Sequence, residues 1–490
     1  MNLVRPQPFH SRLLAACAGE LVNKGSVVAA FVWIARTLDP AVYGQVEWAL
    51  SVTMAFLLVA DAGMALSATA EVAARPDEAP VFVAQVGWLR LALAVPVYLL
   101  LLVAAWVKGG AAGAALAIYG LVLFVQPLFL QYFFDGSLQT RWTAVGNAVR
   151  GSTFLASVLL LVHSESQPSA VAVAEVLGAS ALAACHLVVL RRIFKLSIRI
   201  GEGRHGLSSL FAGTWRVGVS DVTWGVQTYA GLIYLGYMAA AQETAWHSSS
   251  LRLLLAIHTG VWLYLTTLLP NLARLARDPA GWKRVVEQSV RLTGWIGCSI
   301  ALVGVLAAPT ILTTVFGPPF VAAVSPFRAM IWVVPVAWLS GHIRYSLIAA
   351  RHPEHEYRAR LVGAGTTIVL TLILAPTLNS TGTALALLGG TIANAVAAWV
   401  LMRGVLPEGE YGKSMAASSL CCLAYLAVGL LATPTVGEVP ATLVAGALMI
   451  TTAAVAERHR IRDLAHVVLG GGGGADQPEA AVGSQARVRP

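Results

Sequence analysis

Charge is scarce in this sequence. Only 12% of its 490 residues are charged, against about a quarter in soluble globular domains, and that scarcity excludes an ordinary water-soluble fold. Cysteine is equally uninformative as a framework. The five thiols, Cys17, Cys185, Cys298, Cys421 and Cys422, form no C-x-x-C pair and fall inside apolar runs, which argues against a zinc site or a disulfide scaffold and for small packing residues. No polar stretch is long enough to make a separate globular domain, so function has to come from the apolar segments themselves. The first of these, interrupted by Glu20 and Lys24, lacks a small-residue cleavage site and reads as a retained segment rather than a removed signal peptide.

What is present is hydrophobicity: 57% of residues are apolar and the mean hydropathy is +0.72. Crossing a bilayer takes ~20 mostly apolar residues as a helix, and runs bounded by charge, Pro and Gly give about fourteen such spans between residues 13 and 456. Lys and Arg gather in loops on the cytoplasmic side of membrane proteins. Here 23 basic residues fall in alternate loops and in the two terminal segments, whereas the opposite loops hold only Arg36 and Lys108. This pattern predicts an all-α polytopic membrane protein with both termini in the cytoplasm (N-in/C-in), and it distributes the net charge of +9 over loops rather than into a nucleic-acid patch.

The remaining eight basic residues lie within spans: Lys24, Arg90, Arg150, Arg216, Arg252, Arg291, Arg328 and Arg344. Each would cost roughly 2.5 to 3.5 kcal/mol facing lipid at the bilayer centre, so they must reach an interface, pair, or face an interior. Five acidic residues share the spans, Glu20, Glu47, Asp61, Glu175 and Asp221, which leaves the intramembrane charge net cationic.

The chain also looks duplicated. The stretch Tyr43 to Arg75 and the stretch Trp246 to Arg277 are similarly organised about 202 residues apart, ending in Ala73-Ala74-Arg75-Pro76-Asp77 and Leu275-Ala276-Arg277-Asp278-Pro279. Both start from the same side, so the repeats are parallel and related by an axis along the membrane normal. The organisation expected is a cytoplasmic tail at 1–12, a first lobe of six spans at 13–190, a cytoplasmic linker at 191–209 and a second six-span lobe at 210–404. Two additional spans at 405–456 and a flexible cytoplasmic tail at 457–490, which contains Gly470 to Gly474, complete it. Two pseudo-symmetric lobes would enclose a central cavity.

Several segments resemble one family. Arg36-Thr37-Leu38-Asp39-Pro40-Ala41-Val42-Tyr43-Gly44 is similar to the R-x-L-G-P-x-x-Y-G turn of polysaccharide exporters, with Asp39 in place of Gly, and Asp61-Ala62-Gly63-Met64 resembles their D-x-G-hydrophobic step. Phe316-Gly317-Pro318-Pro319-Phe320 with Pro326-Phe327-Arg328, and Gly382-Thr383-Ala384-Leu385-Ala386, resemble two further segments in the same order. These exporters are the lipid-linked oligosaccharide flippases of the multidrug/oligosaccharidyl-lipid/polysaccharide superfamily. The resemblance implies a flippase that moves a polyprenyl-diphosphate-linked oligosaccharide across the bacterial inner (cytoplasmic) membrane for surface polysaccharide biosynthesis. It implies a polysaccharide polymerase and glycosyltransferases of the same pathway as partners, no cofactor and no catalytic residue.

A diphosphate cannot cross hydrocarbon unaided, and a cationic lumen would receive it because Arg presents forked donors to phosphate oxygens. By depth, Lys24 and Arg90 are the leading lumen cations, followed by Arg216, Arg252, Arg150 and Arg344, whereas Arg291 and Arg328 suit interface anchoring. Glu20 and Lys24, four apart, share a helix face and can pair. Asp61 and Asp221 either pair with lumen Arg or bind a coupling H⁺ or Na⁺. His352 and His355 flank Pro353 and Glu354 in a loop, a poor metal site. Trp246, Trp262, Tyr264, Trp332 and Trp338 read as interface or core aromatics, and His258 and His342 as packing or lumen polar groups. Three rivals remain. A membrane glycan polymerase or glycosyltransferase would need a catalytic loop, and the external segment 314–325 has no acidic residue. A multidrug exporter would favour an acidic cavity, and a lipid-linked peptidoglycan precursor flippase would need the same cationic site.

Overall fold

The structure is a computed structural model, and it describes residues 9–164, 166–195, 207–275, 278–350, 352–403, 405 and 411–458. Most of the expected tails at 1–12 and 457–490, and most of the linker at 191–209, lie outside the described residues. Among those residues there is no strand. The helices are α1 (Phe9–Thr37), α2 (Pro40–Asp61), α3 (Met64–Ala74), α4 (Ala79–Lys108), α5 (Gly110–Tyr119), α6 (Val122–Val125), α7 (Gln131–Gly136), α8 (Thr140–Leu161) and α9 (Pro168–Arg192). They continue as α10 (Leu207–Met238), α11 (Ala241–Leu275), α12 (Pro279–Leu306), α13 (Ala308–Phe316), α14 (Val324–Met330), α15 (Val333–Ala349), α16 (Pro353–Met402), α17 (Tyr411–Val436) and α18 (Glu438–Glu457).

Twelve stretches of the described residues are long and apolar enough to cross a membrane. The difference from the fourteen expected arises at two places, each with a physical reason. The first is α16, treated as one stretch although 50 residues of helix would run ~75 Å, more than twice the ~30 Å hydrocarbon core. Non-helical Asn379 (φ 47°, ψ −125°) breaks it. Gly382 then sits against Leu374 and Ala375, Gly389 against Leu370, and Gly390 against Gly363 and Thr367, so the two halves run antiparallel. The second is α10, which is absent from the twelve. Its Asp221, Gln227 and Thr228 line a cavity instead of facing lipid, and their polarity lowers the apolar signal.

The helices form two bundles. In the first, α8 packs on α1 and α9, and α5 on α2 and α9; in the second, α16 packs on α10 and α15, and α15 on α11 and α12. The additional pair α17 and α18 packs on α12, through a cluster that includes Cys298, Cys422 and Met449. The bundles meet chiefly where α2 crosses α10 and α11, and α2 and α11 carry the first-lobe and second-lobe copies of the sequence repeat.

One end of this seam is closed by a dense set of contacts. Asp39 opens α2 by accepting from Ala41 N at 2.7 Å, ahead of Pro40 in the first turn. From there Tyr43 meets Phe320 edge-on at 5.4 Å, Trp48 meets Tyr237 at 5.2 Å, and the Gly44 backbone lies directly against Ala241. Tyr237 donates to Ala104 O at 3.1 Å and Arg36 Nε to Val315 O at 3.1 Å. Lys108 donates to Gly236 O and stands over Trp48. Arg36 and Lys108, the two cations of the basic-poor loops, are thus both spent joining the lobes at this end.

Candidate functional site

Below that seal the lobes part around two neighbouring cavities. The larger, about 710 Å³, is walled by Glu20 and Lys24 of α1 on one side and by α10, α11, α15 and α16 on the other. The smaller, about 330 Å³, lies between α2, α4 and α10. Asp221, Trp224 and Tyr229 of α10 line both, so this helix is the partition between them.

The partition is positioned by an elbow in the second span. Ala62 (φ 46°) and Gly63 (φ 75°) both adopt left-handed backbone, ending α2 and starting α3 at a new angle. Any Cβ at Gly63 would collide with Gly218 N of α10, so only Gly permits the approach. The break frees backbone donors at the start of α3, and Asp61 Oδ2 accepts one from Ala65 N at 3.2 Å. The other carboxylate oxygen takes Arg90 Nε at 3.0 Å and Arg90 Nη2 at 2.5 Å. Arg90 also donates to Phe129 O at 3.2 Å and stands 5.3 Å from the centre of the Tyr132 ring. Its side chain is 4% exposed; removing either partner of such a pair costs ~3–5 kcal/mol through the charge left behind.

The expected site residues therefore separate. Lys24 and Glu20 line the larger cavity and pair at 3.6 Å, both well exposed, and Glu20 also accepts from Asn147 at 3.3 Å. Arg344 lines it too. Arg90 and Asp61 line the smaller cavity, and Asp221 lines both. Arg252 and Arg150 are not among the lining residues of either. Arg252 pairs with Glu47 of the other lobe, Nε to Oε1 at 3.0 Å, with its guanidinium 3.2 Å from the Phe31 ring centre. Arg150 pairs with Glu175 at 2.5 Å inside the first lobe. The side chain of Arg216 lies outside the described residues.

Two lining residues were not among those expected from the sequence. Arg360, counted among the loop cations, has an 8% exposed side chain in the wall of the larger cavity. Its Nη2 lies 2.5 Å from Glu356, which also lies 3.1 Å from Arg344 Nε. Their i, i+4 spacing after Pro353 was the available signal, since it continues the eleventh span back into the apparent loop. Among the described side chains, the charges lining the two cavities are then Glu20, Asp61, Asp221 and Glu356 against Lys24, Arg90, Arg344 and Arg360. The excess of three cations in the spans is not seen in the described walls: Arg291 and Arg328 are not among the lining residues, the side chain of Arg216 is not described, and Glu356 and Arg360 enter as one charge of each sign.

Trp262 is 56% exposed and lines the larger cavity, and Trp338, buried in the core as expected, also borders it and donates to His258 Nδ1 at 3.1 Å. His342 is buried, between Ser289 Oγ and Trp338 O, each at 2.8 Å. Arg328 donates to Val305 O at 2.9 Å. His352 and His355 converge on Glu354 Oε1 at 3.1 and 3.2 Å, a grouping that could hold a metal ion and that hydrogen bonds to one carboxylate already explain.

Comparison with known proteins places this geometry. Residues 16–276 match the sequence profile of the family described as polysaccharide biosynthesis protein. No curated protein matches the chain by sequence. Among solved structures, "Lipid II flippase MurJ, inward closed conformation" is similar with a TM-score of 0.73 at 14% identity, covering 92% of this chain and 100% of that one. An inward-facing multidrug resistance MATE family transporter of the MOP superfamily is similar at a TM-score of 0.63 and 12% identity, over 84% of this chain and 98% of that one. An outward-facing structure of a MATE family transporter gives 0.55 at 12% identity, over 84% and 95%. At these identities the likeness is one of fold: a multi-pass, all-helical membrane protein of two lobes.

Proposed function

The chain belongs to the polysaccharide biosynthesis protein family, and from that membership we propose that it is a flippase carrying a polyprenyl-diphosphate-linked oligosaccharide across the bacterial inner membrane by alternating access. The observation that carries this reading is the cavity between the lobes: sealed at the basic-poor end by Arg36, Lys108 and the Glu47–Arg252 pair, and walled below it by paired charges and aromatic rings. With the basic loops in the cytoplasm, that cavity is on the cytoplasmic side, where the lipid-linked glycan is assembled.

The wall suits the three parts of such a substrate. The acyl chain stays in lipid and needs no site. The sugars need a wetted surface with aromatic faces and neutral polar groups, which Trp224, Trp262, Gln227, Thr259 and Asn394 offer. The diphosphate needs cations, and Lys24, Arg344 and Arg90 from the sequence reading are available at the cost of exchanging their carboxylate partners. Loading would couple to the lobes because Lys24–Glu20 stands on the first lobe and Arg344–Glu356 on the second, so one diphosphate that takes cations from both joins elements that move relative to each other. Asp221 and Asp61, at the partition, are proposed to take part in that exchange or in binding a coupling ion.

A second reading has one observation in its favour. A carrier of a lipid-linked peptidoglycan precursor would need the same cations, and the structure titled as a lipid II flippase shares the fold over 92% of this chain. Depleting the protein in its host and analysing lipid-linked intermediates tests both. Accumulation of a polyprenyl-diphosphate oligosaccharide on the cytoplasmic leaflet is the expected result, accumulation of the peptidoglycan precursor selects the second reading, and unchanged pools of both overturn the assignment.

A further inference from the structure

The densest unassigned constellation in the larger cavity joins α15 and α16. Arg344 Nε and Arg360 Nη2 both address Glu356 Oε1, at 3.1 and 2.5 Å. One oxygen thus lies within ion-pair distance of two guanidinium groups while hydrogen-bonded to Arg360 alone, whereas a phosphate presents enough oxygens to serve both Arg forks. Resting on the transport reading above, we propose that the Arg344–Arg360 fork is the seat of a phosphate-class anion, the diphosphate of the carried lipid, and that Glu356 occupies it as an internal substitute while the cavity is empty.

Three features separate this from a simple structural ion pair. Arg360 is held from its other side, Nη1 donating to Ser220 O of α10 at 3.3 Å, so its guanidinium keeps its place when Glu356 leaves. Arg344 is underused: its side chain is 39% exposed, yet its Nε is enclosed without a well-directed hydrogen bond, the nearby Glu356 oxygen being close but off-axis. Glu356 and Arg360 also stand in the first two turns of α16, where the helix dipole adds positive potential. The same wall holds Lys24 with Glu20, and Asp221 of α10. Those carboxylates set a threshold: a monoanion gains little over Glu356, whereas a diphosphate brings more charge and more acceptor oxygens than the single carboxylate it displaces.

Glu356 then differs from the cations in the sign of its effect. Neutralising it removes a competitor, so Glu356→Gln should bind the anion more tightly, whereas a purely structural carboxylate would weaken or leave unchanged whatever binds nearby. Titration calorimetry on the purified full-length protein, with inorganic pyrophosphate and inorganic phosphate as probes, reads this directly. The expected result is pyrophosphate binding tightened about ten- to a hundredfold in Glu356→Gln, the worth of one hydrogen bond to a charged group, and weakened in Arg360→Gln and Arg344→Gln. Pyrophosphate preferred over phosphate supports a diphosphate headgroup; phosphate bound equally well or better assigns the fork to free phosphate and overturns the headgroup. Identical pyrophosphate binding in all variants overturns the fork. Should Glu356→Gln not fold, Arg344→Lys, at an exposed position, keeps the charge but loses the fork and should still weaken pyrophosphate. Wild-type protein that moves no lipid-linked glycan in vesicles, with the Glu356→Gln gain intact, would sink the transport reading and leave the anion site standing; the reverse would sink the fork alone.

Discussion

Replacing Arg252 with Gln should open the sealed end of the molecule. The pair it forms with Glu47 joins α11 of one lobe to α2 of the other about two helical turns inside the seal. Glu47 is 5% exposed at its side chain and Arg252 21%, so the two single variants are not equivalent. Without Arg252, a nearly buried carboxylate has no cation. Breaking a fully buried pair costs ~3–5 kcal/mol; allowing for the partial exposure of Arg252, about 2–3 kcal/mol is a fair share here. That penalty applies only while the lobes are closed at this end, since opening them admits water to Glu47. The ratio of closed to open forms should therefore fall by roughly 30- to 150-fold, at tenfold per 1.4 kcal/mol. Glu47→Gln should shift it less, because Arg252 keeps the Phe31 ring and some water. Spin labels at Thr37 and Ala240, on the two lobes at this end, measure the populations by their distance distribution. Arg252→Gln should broaden that distribution to longer distances, and the double variant Glu47→Gln/Arg252→Gln should recover part of the shift. A distribution unchanged in Arg252→Gln, with the protein folded, would refute the gate.

Other expectations separate stability from transport. Lys24→Gln, at a 53% exposed side chain, should leave thermal unfolding unchanged and abolish glycan export, whereas Arg90→Gln should lower the melting temperature as well, because it strands Asp61 at the start of α3; wild-type export in both would remove the cations from the carrier mechanism. Gly63→Ala should reduce the yield of folded protein, because it pairs a strained positive φ with a clash on α10, and a normal yield would show that the elbow relaxes. Trp262→Ala should leave folding and pyrophosphate binding intact while slowing transport of glycan-bearing lipid, and an equal rate would remove the ring from the sugar surface.

Much of this architecture is legible in the sequence because membrane spans obey a one-dimensional rule. Length, apolarity and loop charge locate helices without knowledge of their neighbours, and α10 is among the spans expected even though its polar residues, which line a cavity, lower its apolarity. The site is less legible, because that rule does not say which helices are neighbours. Glu47 and Arg252 lie 205 residues apart, close to the repeat offset of about 202, so they stand on equivalent helices that meet across the seam; the repeat could have paired them. Asp61 with Arg90, and Arg150 with Glu175, join different spans at depths that hydropathy does not resolve. Arg360 was hidden by its place at a span boundary, where a charge reads as topology until the helix is seen to begin at Pro353.

The central claim is that the cavity carries a lipid-linked glycan through the membrane, and reconstitution tests it most directly. Purified protein in vesicles loaded on one leaflet with a fluorescent polyprenyl-diphosphate oligosaccharide should move the label to the other leaflet, where a membrane-impermeant quencher reaches it, and the Lys24→Gln protein should not. Label that stays on its leaflet with folded wild-type protein, or crosses equally fast with the Lys24→Gln protein, would contradict the account.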